Sequence, residues 1–347
     1  MQKSVFVIIP NYNGADMLAA SVDSVLKQSY RNFTLVIVDN GSIDDSRTII
    51  ERYAAKDDRV RGIFRDNNYG YTGGVNPGLE LAIAEKADYA APFNNDAVAD
   101  KNWLKHLVEY LNKHDEFGVA ACDLLHTDGK TYDSTGDQYT SWGIPYPRGR
   151  GEKISNRYKD QLLIFGASGG ASLYRVKMLE QIGIFDQDFF AYYEDIDLSF
   201  RAQLAGWKVA YVPASIVYHG IGMTSGAMYS GFTTYQYFKN LPWVIIKDVP
   251  LDLWPRIVPR FLLAYSLFFV NSILHGQGGS AFKGWVVSWW RLPKKLAERR
   301  HIQKQRVVSS AYIWSLFLHD LPPNAHKLRK LRSLYRKLMG KIQTKDA

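Results

Sequence analysis

Val5-Phe6-Val7-Ile8-Ile9-Pro10-Asn11-Tyr12-Asn13-Gly14 opens the chain with an apolar, β-branched run that turns polar immediately after Pro10. A run this short, rich in Val and Ile and closed by turn formers, reads as a buried strand. The same pattern recurs downstream. Ser4–Ile9, Phe33–Val38, Val60–Phe64 and Tyr89–Phe93 read as strands, and Ala15–Lys27, Asp44–Ala55, Thr72–Glu85 and Asn102–Leu111 as the helices that follow them. Strands and helices alternating through short connections predict an α/β fold with a mostly parallel central sheet covered on both faces. Such sheets bind ligands beyond the carboxyl ends of their strands. There the sequence reads Pro10-Asn11-Tyr12-Asn13-Gly14, Asp39-Asn40-Gly41-Ser42 and Asn94-Asn95-Asp96.

Residues 123–160 are rich in Gly, Asp, Thr, Tyr and Pro without periodicity, and they read as a long surface excursion able to form a binding loop or lid. A second ordered block follows, with a strand near Ala171–Tyr174, a helix over Glu194–Ala205 and a strand at Lys208–Val212. From about Thr233 the pattern is helical and rich in aromatic and basic residues. The expected division is therefore a catalytic domain over 1–230 and a C-terminal helical region over 231–347.

With 347 residues, 46% of them apolar and 22% charged, the chain has the composition of a folded protein. The single cysteine, Cys122, excludes an internal disulfide and any cysteine-rich metal site. The apolar run Val5–Pro10 is too short for a signal-peptide core, so the expected location is the cytoplasm. Charge is unevenly distributed. Residues 283–347 carry 16 Lys/Arg and 3 Asp/Glu, which against a net +9 leaves −4 on residues 1–282. An acidic body suits a site that uses a cation, and a basic tail suits anionic lipid or nucleic acid. Phe261–Leu274 is a 14-residue stretch without charge, followed by Trp285, Trp289, Trp290 and then Lys294, Lys295, Arg299 and Arg300. That mixture is typical of a membrane interface, although short apolar helices also build ordinary cores.

The polar strand ends carry the chemistry. Asp39 can accept a hydrogen bond from the imide N–H of uracil or thymine. The segment Asn68 to Gly78 holds four glycines between 70 and 78, which permit close approach of a phosphate at a helix N-terminus. Asp96 offers a carboxylate to Mg²⁺ or Mn²⁺ bridging a departing diphosphate. In Phe189-Phe190-Ala191-Tyr192-Tyr193-Glu194-Asp195-Ile196-Asp197, aromatic residues run straight into three acids. Desolvation there would raise a carboxylate's pKa toward that of a general base. His219 follows an apolar run and would bias a metal site toward Mn²⁺. Each group also has a plain role: Asp39 and Asp96 as turn formers, Glu194 and Asp195 as partners of a helix dipole, and Asp197 paired with Arg201.

Taken together and in this order, the segments Val7–Gly14, Val38–Ser42, the glycine-rich stretch from Asn68, Asn94-Asn95-Asp96, Gly169-Gly170-Ala171, Glu194–Asp197 and His219 resemble glycosyltransferase family 2. These are inverting nucleotide-sugar transferases with the Rossmann-like GT-A fold, and the pattern looks most like rhamnosyltransferase-type enzymes of bacterial polysaccharide and cell-wall synthesis. The resemblance implies that Asp195 deprotonates the acceptor hydroxyl, with Glu194 as the alternative base. It also implies that Asp39 contacts the nucleotide base, that Asn95 lies near the ribose, and that Asp96, with His219, holds the metal. The donor surface it implies comprises Pro10, Asn11, Tyr12, Asn13, Asp39, Asn68, Gly73, Asn76, Asn94, Asn95, Gly169 and Gly170. Expected partners are a dTDP- or UDP-linked sugar, a glycan or lipid-linked glycan acceptor, and the inner face of the cell membrane, with no nucleic acid. Where many members carry Asp-x-Asp this chain has Asn94-x-Asp96, so a metal site that leans more on the donor phosphates is expected. A dinucleotide-dependent oxidoreductase is disfavoured because no G-x-G-x-x-G follows the first strand. A silent sugar-nucleotide-binding relative and a nucleic-acid binder acting through the basic tail are the remaining rivals.

Overall fold

The computed structural model describes residues 2–220 and 230–321, so the last part of the basic tail lies outside the described residues. The first half contains β1 (Val5–Asn11), α1 (Ala15–Leu26), β2 (Phe33–Asp39), α2 (Ser46–Ala54), β3 (Val60–Phe64) and α3 (Gly70–Ala84). It continues with β4 (Tyr89–Pro92), β5 (Ala97–Ala99), α4 (Trp103–Lys113) and β6 (Phe117–His126). After them come the short β7 (Tyr132–Ser134), β8 (Asp137–Tyr139), β9 (Pro145–Pro147), β10 (Leu163–Ile164) and β11 (Leu173–Arg175). Next are α5 (Val176–Ile182), α6 (Glu194–Leu204) and β12 (Lys208–His219). The chain then becomes helical: α7 (Gly231–Asp248), α8 (Trp254–Leu274), α9 (Gly278–Trp290), α10 (Leu292–Lys304) and α11 (Ser310–Ser315).

The main sheet has the strand order β10-β12-β6-β11-β4-β1-β2-β3. Strands β4, β1, β2 and β3 run parallel, as do β6 and β12, and β11 is inserted antiparallel between the two blocks. This is the mixed, mostly parallel sheet expected from the alternating pattern. One face buries Val5, Val7 and Ile9 against Leu18, Val22 and the apolar side of α4, and the other buries Phe6 and Ile8 against Val75 and Leu79 of α3. Helix α4 shows why such segments fold: Trp103, Leu104, Leu107, Val108 and Leu111 form one buried stripe at helical spacing.

The helix expected over Thr72–Glu85 is present as α3, which begins two residues earlier at Gly70 and contains Gly73, Gly74 and Gly78. A Cβ on Gly78 would stand 2.6 Å from Ile8 Cγ2, and one on Gly74 would stand 2.9 Å from Pro10 Cβ, so these two let the helix lie close on β1. One expectation is corrected: the excursion at 123–160 is not a surface loop. Its residues Tyr132, Asp133, Ser134, Thr135, Asp137, Tyr139 and Thr140 are buried. Three-residue strands are too short to show alternation, which hid them in the sequence.

The helical region is joined to the sheet domain by a shared core. Ile196, Phe200 and Leu204 of α6 cluster with Leu241, Trp243, Val244 and Ile245 of α7. Helix α8 with its leading turn, Leu251–Leu274, is long and apolar enough to cross a membrane by length and composition, yet only 22% of its most apolar window is buried.

Candidate active site

Three strand ends meet through side-chain amides. Asn11 and Asp39 are register partners at the ends of β1 and β2. The Asn11 amide donates to Asp39 at 3.5 Å, and Asn11 Oδ1 accepts from Asn95 Nδ2 at 2.9 Å. All three residues are buried. The loop after β1 is clipped to the loop after β2, since Asn13 N donates to Ser42 Oγ at 2.9 Å and Asn13 Oδ1 accepts from Ile43 N at 2.9 Å. Asn13 adopts a φ of 48°, a conformation Asn tolerates better than most residues. Pro10 is half-buried beside it and Tyr12 is exposed at the rim.

A second set borders α3. Asn68 Oδ1 accepts from Asn40 Nδ2 at 3.1 Å and from Gly70 N at 2.8 Å, which fixes Gly70 at its φ of 72°. Gly73 presents its carbonyl to Arg65 at 3.1 Å. Asn76 faces inward: it is 1% exposed and its amide donates to Phe185 O at 2.9 Å, so it braces α3 against the segment after α5.

Asp96 and His219 are brought together by β5. This strand pairs antiparallel with β12 so that Ala97 faces His219, which places Asp96 Oδ1 3.1 Å from His219 Nε2. His219 Nδ1 lies 2.8 Å from Asp133 Oδ2, and Asp133 in turn pairs with Arg150 at 2.7 Å. Burial opposes the charged imidazole, but Asp133 and Asp96 outweigh it and raise the His219 pKa to about 9. Asn94 Nδ2 also lies 3.0 Å from His219 Nε2, and Asn94 N donates to Gly170 O at 2.9 Å. The adjoining Gly169 N donates to Asp195 Oδ2 at 3.3 Å. Asp195, Gly169, Gly170, Asn94, His219 and Asp96 thus form one continuous hydrogen-bonded path across the carboxyl edge of the sheet.

Asp195 sits in the first turn of α6, where the dipole and the Ile196 N–H at 2.9 Å favour its charge. Burial nevertheless raises its pKa, and the Gly169 N–H only partly offsets that. Glu194 is more deeply buried. Burial, then the charge of Asp195, pushes it well above the usual carboxylate range. The turn leading to α6 is strained: Phe190, Tyr192 and Tyr193 all have positive φ, a cost of order 1–3 kcal/mol each that survives only where the surroundings impose it.

The family model described as Glycosyl transferase family 2 matches residues 6–183, half of the chain, and one described as Glycosyl transferase family group 2 matches residues 152–322. The chain belongs to glycosyl transferase family 2. Among relatives, glycosyltransferase GlyG of Streptococcus pneumoniae is 30% identical over 33% of this chain and 37% of its own length. Uncharacterized glycosyltransferases of Rickettsia prowazekii and Haemophilus influenzae are 29% and 24% identical over 57% and 65% of this chain, and over 58% and 68% of theirs. The chain thus spans less than two-thirds of the length of the first two. Among solved structures, mannosyltransferase PcManGT from Pyrobaculum calidifontis in complex with GDP-Man and Mn²⁺ superposes with a TM-score of 0.54 at 15% identity, covering 91% of this chain and 79% of that one. S. aureus TarS 1–349 gives 0.52 at 16% identity, covering 87% and 90%. These likenesses establish the GT-A fold.

Two further features of this family 2 glycosyltransferase were not singled out in the sequence. Asp133 and Asp137, both in the buried excursion, stand beside the site; Asp137 is buried, and burial followed by the charge of Asp195 raises its pKa well above the ordinary value. No periodic pattern flagged them. The other feature is a trio of carboxylates, Asp186, Asp188 and Glu298, close enough together to hold a metal. Lysines already fill that role: Lys295 lies 2.8 Å from Asp186, 2.8 Å from Asp188 and 3.0 Å from Glu298, and Lys294 lies 2.7 Å from Asp188. This trio is an ion-pair network bracing α10, distinct from the candidate site.

Proposed function

We propose that this glycosyltransferase moves a sugar from a nucleotide diphosphate to an acceptor hydroxyl by a single inverting displacement, with Asp195 as the base. The observation that carries the reading is the path from Asp195 through Gly169, Gly170 and Asn94 to His219 and Asp96, because it puts a carboxylate with a raised pKa and an oxygen-and-nitrogen ligand pair at one edge. Asp195 takes the acceptor proton as the hydroxyl attacks the anomeric carbon. With one base and no enzyme nucleophile, configuration inverts. Asp39 and the Asn11–Asn95 pair receive the nucleoside, Asp39 by accepting an imide N–H.

Asp96 and His219 fit a divalent cation, Mn²⁺ or Mg²⁺. Their ligand atoms are 3.1 Å apart, and the second ring nitrogen of His219 is held by a carboxylate, as in many metal-ligating histidines. Such an ion would neutralise charge on the departing diphosphate. PcManGT holds GDP-Man and Mn²⁺ and TarS holds UDP, so a guanosine donor belongs beside dTDP-rhamnose and UDP-sugars in any test panel.

The acceptor in this reading is a saccharide presented at the cytoplasmic membrane surface, in bacterial cell-surface glycan synthesis. Leu262, Leu263, Val270, Ile273 and Leu274 of α8 and Phe282, Trp289 and Trp290 of α9 are exposed, with Arg260, Lys283, Arg291 and Arg300 also exposed on the same helices and the next. That combination suits an anionic bilayer surface. Two measurements test the proposal. In a panel of nucleotide sugars with Mn²⁺, Asp195→Asn should keep nucleotide binding and lose transfer; normal transfer would reject the base. Cosedimentation should favour anionic vesicles over a duplex oligonucleotide, and the reverse preference would support the nucleic-acid rival.

A further inference from the structure

We infer that Asn240 and Lys239 of α7 are positioning residues for the catalytic base, making the C-terminal helical region part of the active-site architecture. The inference rests on the reading of Asp195 as that base.

The turn that delivers Asp195 has an unfavourable backbone of its own. Phe190 (φ 65°), Tyr192 (φ 69°) and Tyr193 (φ 72°) are non-glycine residues in the left-handed region, and Tyr193 is the residue from which α6 starts. Aromatic side chains do not choose this conformation, so neighbouring groups must impose it. On one side, α3 supplies a single backbone bond, from Thr72 N to Phe190 O at 3.1 Å, with Gly70 giving room for the Phe190 ring and carbonyl.

On the other side α7 supplies most of the grip. The fully buried Asn240 directs its amide nitrogen at three carbonyls of the turn: Phe189 at 3.0 Å, Ala191 at 2.9 Å and Tyr192 at 2.8 Å. Lys239 directs its ammonium at Asp188 O at 2.9 Å and Phe189 O at 3.2 Å. Two consecutive side chains therefore satisfy four of the five carbonyls from 188 to 192, and Phe190, the fifth, is taken by Thr72. Carbonyls that point inward toward α7 orient the peptide planes of residues 189–193. Those planes set where α6 begins and so where Asp195 meets Gly169. Trp243, one turn further along α7, stacks edge-on against Phe189 at 5.6 Å and closes the arrangement.

A small displacement of a base from its proton costs rate far more than it costs donor affinity. The test compares Asn240→Ala, Lys239→Met and Asp195→Asn in the full chain, using the donor that gives transfer in the panel above and UDP with Mn²⁺ as the binding probe. Asn240→Ala is expected to lower kcat at least tenfold while leaving the UDP Kd within about twofold, and to speed amide exchange over 188–196 but not over 33–39. Lys239→Met should do the same more mildly, and it serves as the reporter if Asn240→Ala does not fold. Normal kcat in the folded variants with Asp195→Asn inactive would overturn the positioning role and leave the base standing. Normal kcat in Asp195→Asn would remove the base itself.

Discussion

Nδ1 of His219 lies 2.8 Å from the carboxylate of Asp133, while Nε2 of the same ring lies 3.1 Å from Asp96. The ring is thus clamped on one edge by a residue that is itself buried and paired with Arg150. A carboxylate behind a metal-ligating imidazole fixes its tautomer and orientation, and losing it typically costs 10–100-fold in metal affinity. Asp133→Asn should therefore weaken Mn²⁺ binding by about that factor, measured by calorimetry in the presence of UDP. Unchanged affinity would mean that His219 is held by other means or is not a ligand.

The same clamp makes apo stability depend on pH. The folded pKa of His219 is raised to about 9 from an ordinary 6.5. A raised histidine pKa stabilises the folded state fully below the unfolded value and loses that contribution as pH climbs through the folded one. The parent should hold an advantage over His219→Gln near pH 6.5 that shrinks by roughly 3 kcal/mol at most toward pH 9.5. Thermal midpoints of both proteins without added metal check this, and a gap that widens with pH would contradict it.

What the sequence disclosed follows from which interactions are local. The first four strands were legible, and Asp39, Asn95, Asp96, Asp195 and His219 could be named as candidates, because periodicity, polar strand ends and an acidic helix start are properties of neighbouring residues. Asp133 and Asp137 were not, because their roles arise from pairing across 86 residues and from burial inside three-residue strands. Asn240 was hidden too, since nothing in a helical aromatic stretch marks one amide as holding a turn some 50 residues earlier. The packing role of Gly74 and Gly78 was also hidden, since a glycine that admits a phosphate and one that admits a strand look alike in one dimension.

Lys247 is a stability determinant by the same long-range logic. Only 2% exposed, it bridges Asp186 and Asp197 at 2.5 Å each, and Arg201 completes the pairing of Asp197 at 2.8 Å. Removing one partner of a buried pair leaves uncompensated charge and costs about 3–5 kcal/mol. Lys247→Met should lower the unfolding free energy by that amount, read as a lower urea midpoint at an unchanged slope, and a near-neutral effect would show that the acids reprotonate or rehydrate at little cost.

Glycine tolerance separates the two halves of the molecule. Placing alanine in a helix gains roughly 0.5–1 kcal/mol over glycine where there is room. At Gly279 in α9 a Cβ would meet nothing within 4 Å, so Gly279→Ala should stabilise by that amount. At Gly78 in α3 the new methyl would stand 2.6 Å from Ile8 Cγ2 and 2.7 Å from Cγ1, in a fully buried layer that cannot part without moving β1. Overpacking of this kind costs about 1–3 kcal/mol and outweighs the propensity gain. Gly78→Ala should therefore destabilise, and Ile8→Ala should cost less in that background than in the parent, because it removes both obstructing carbons, Cγ1 and Cγ2. A double-mutant cycle measures that coupling directly. Strictly additive losses would mean that α3 shifts away from β1 when the methyl is added, and that the close helix–strand contact is not what these glycines maintain.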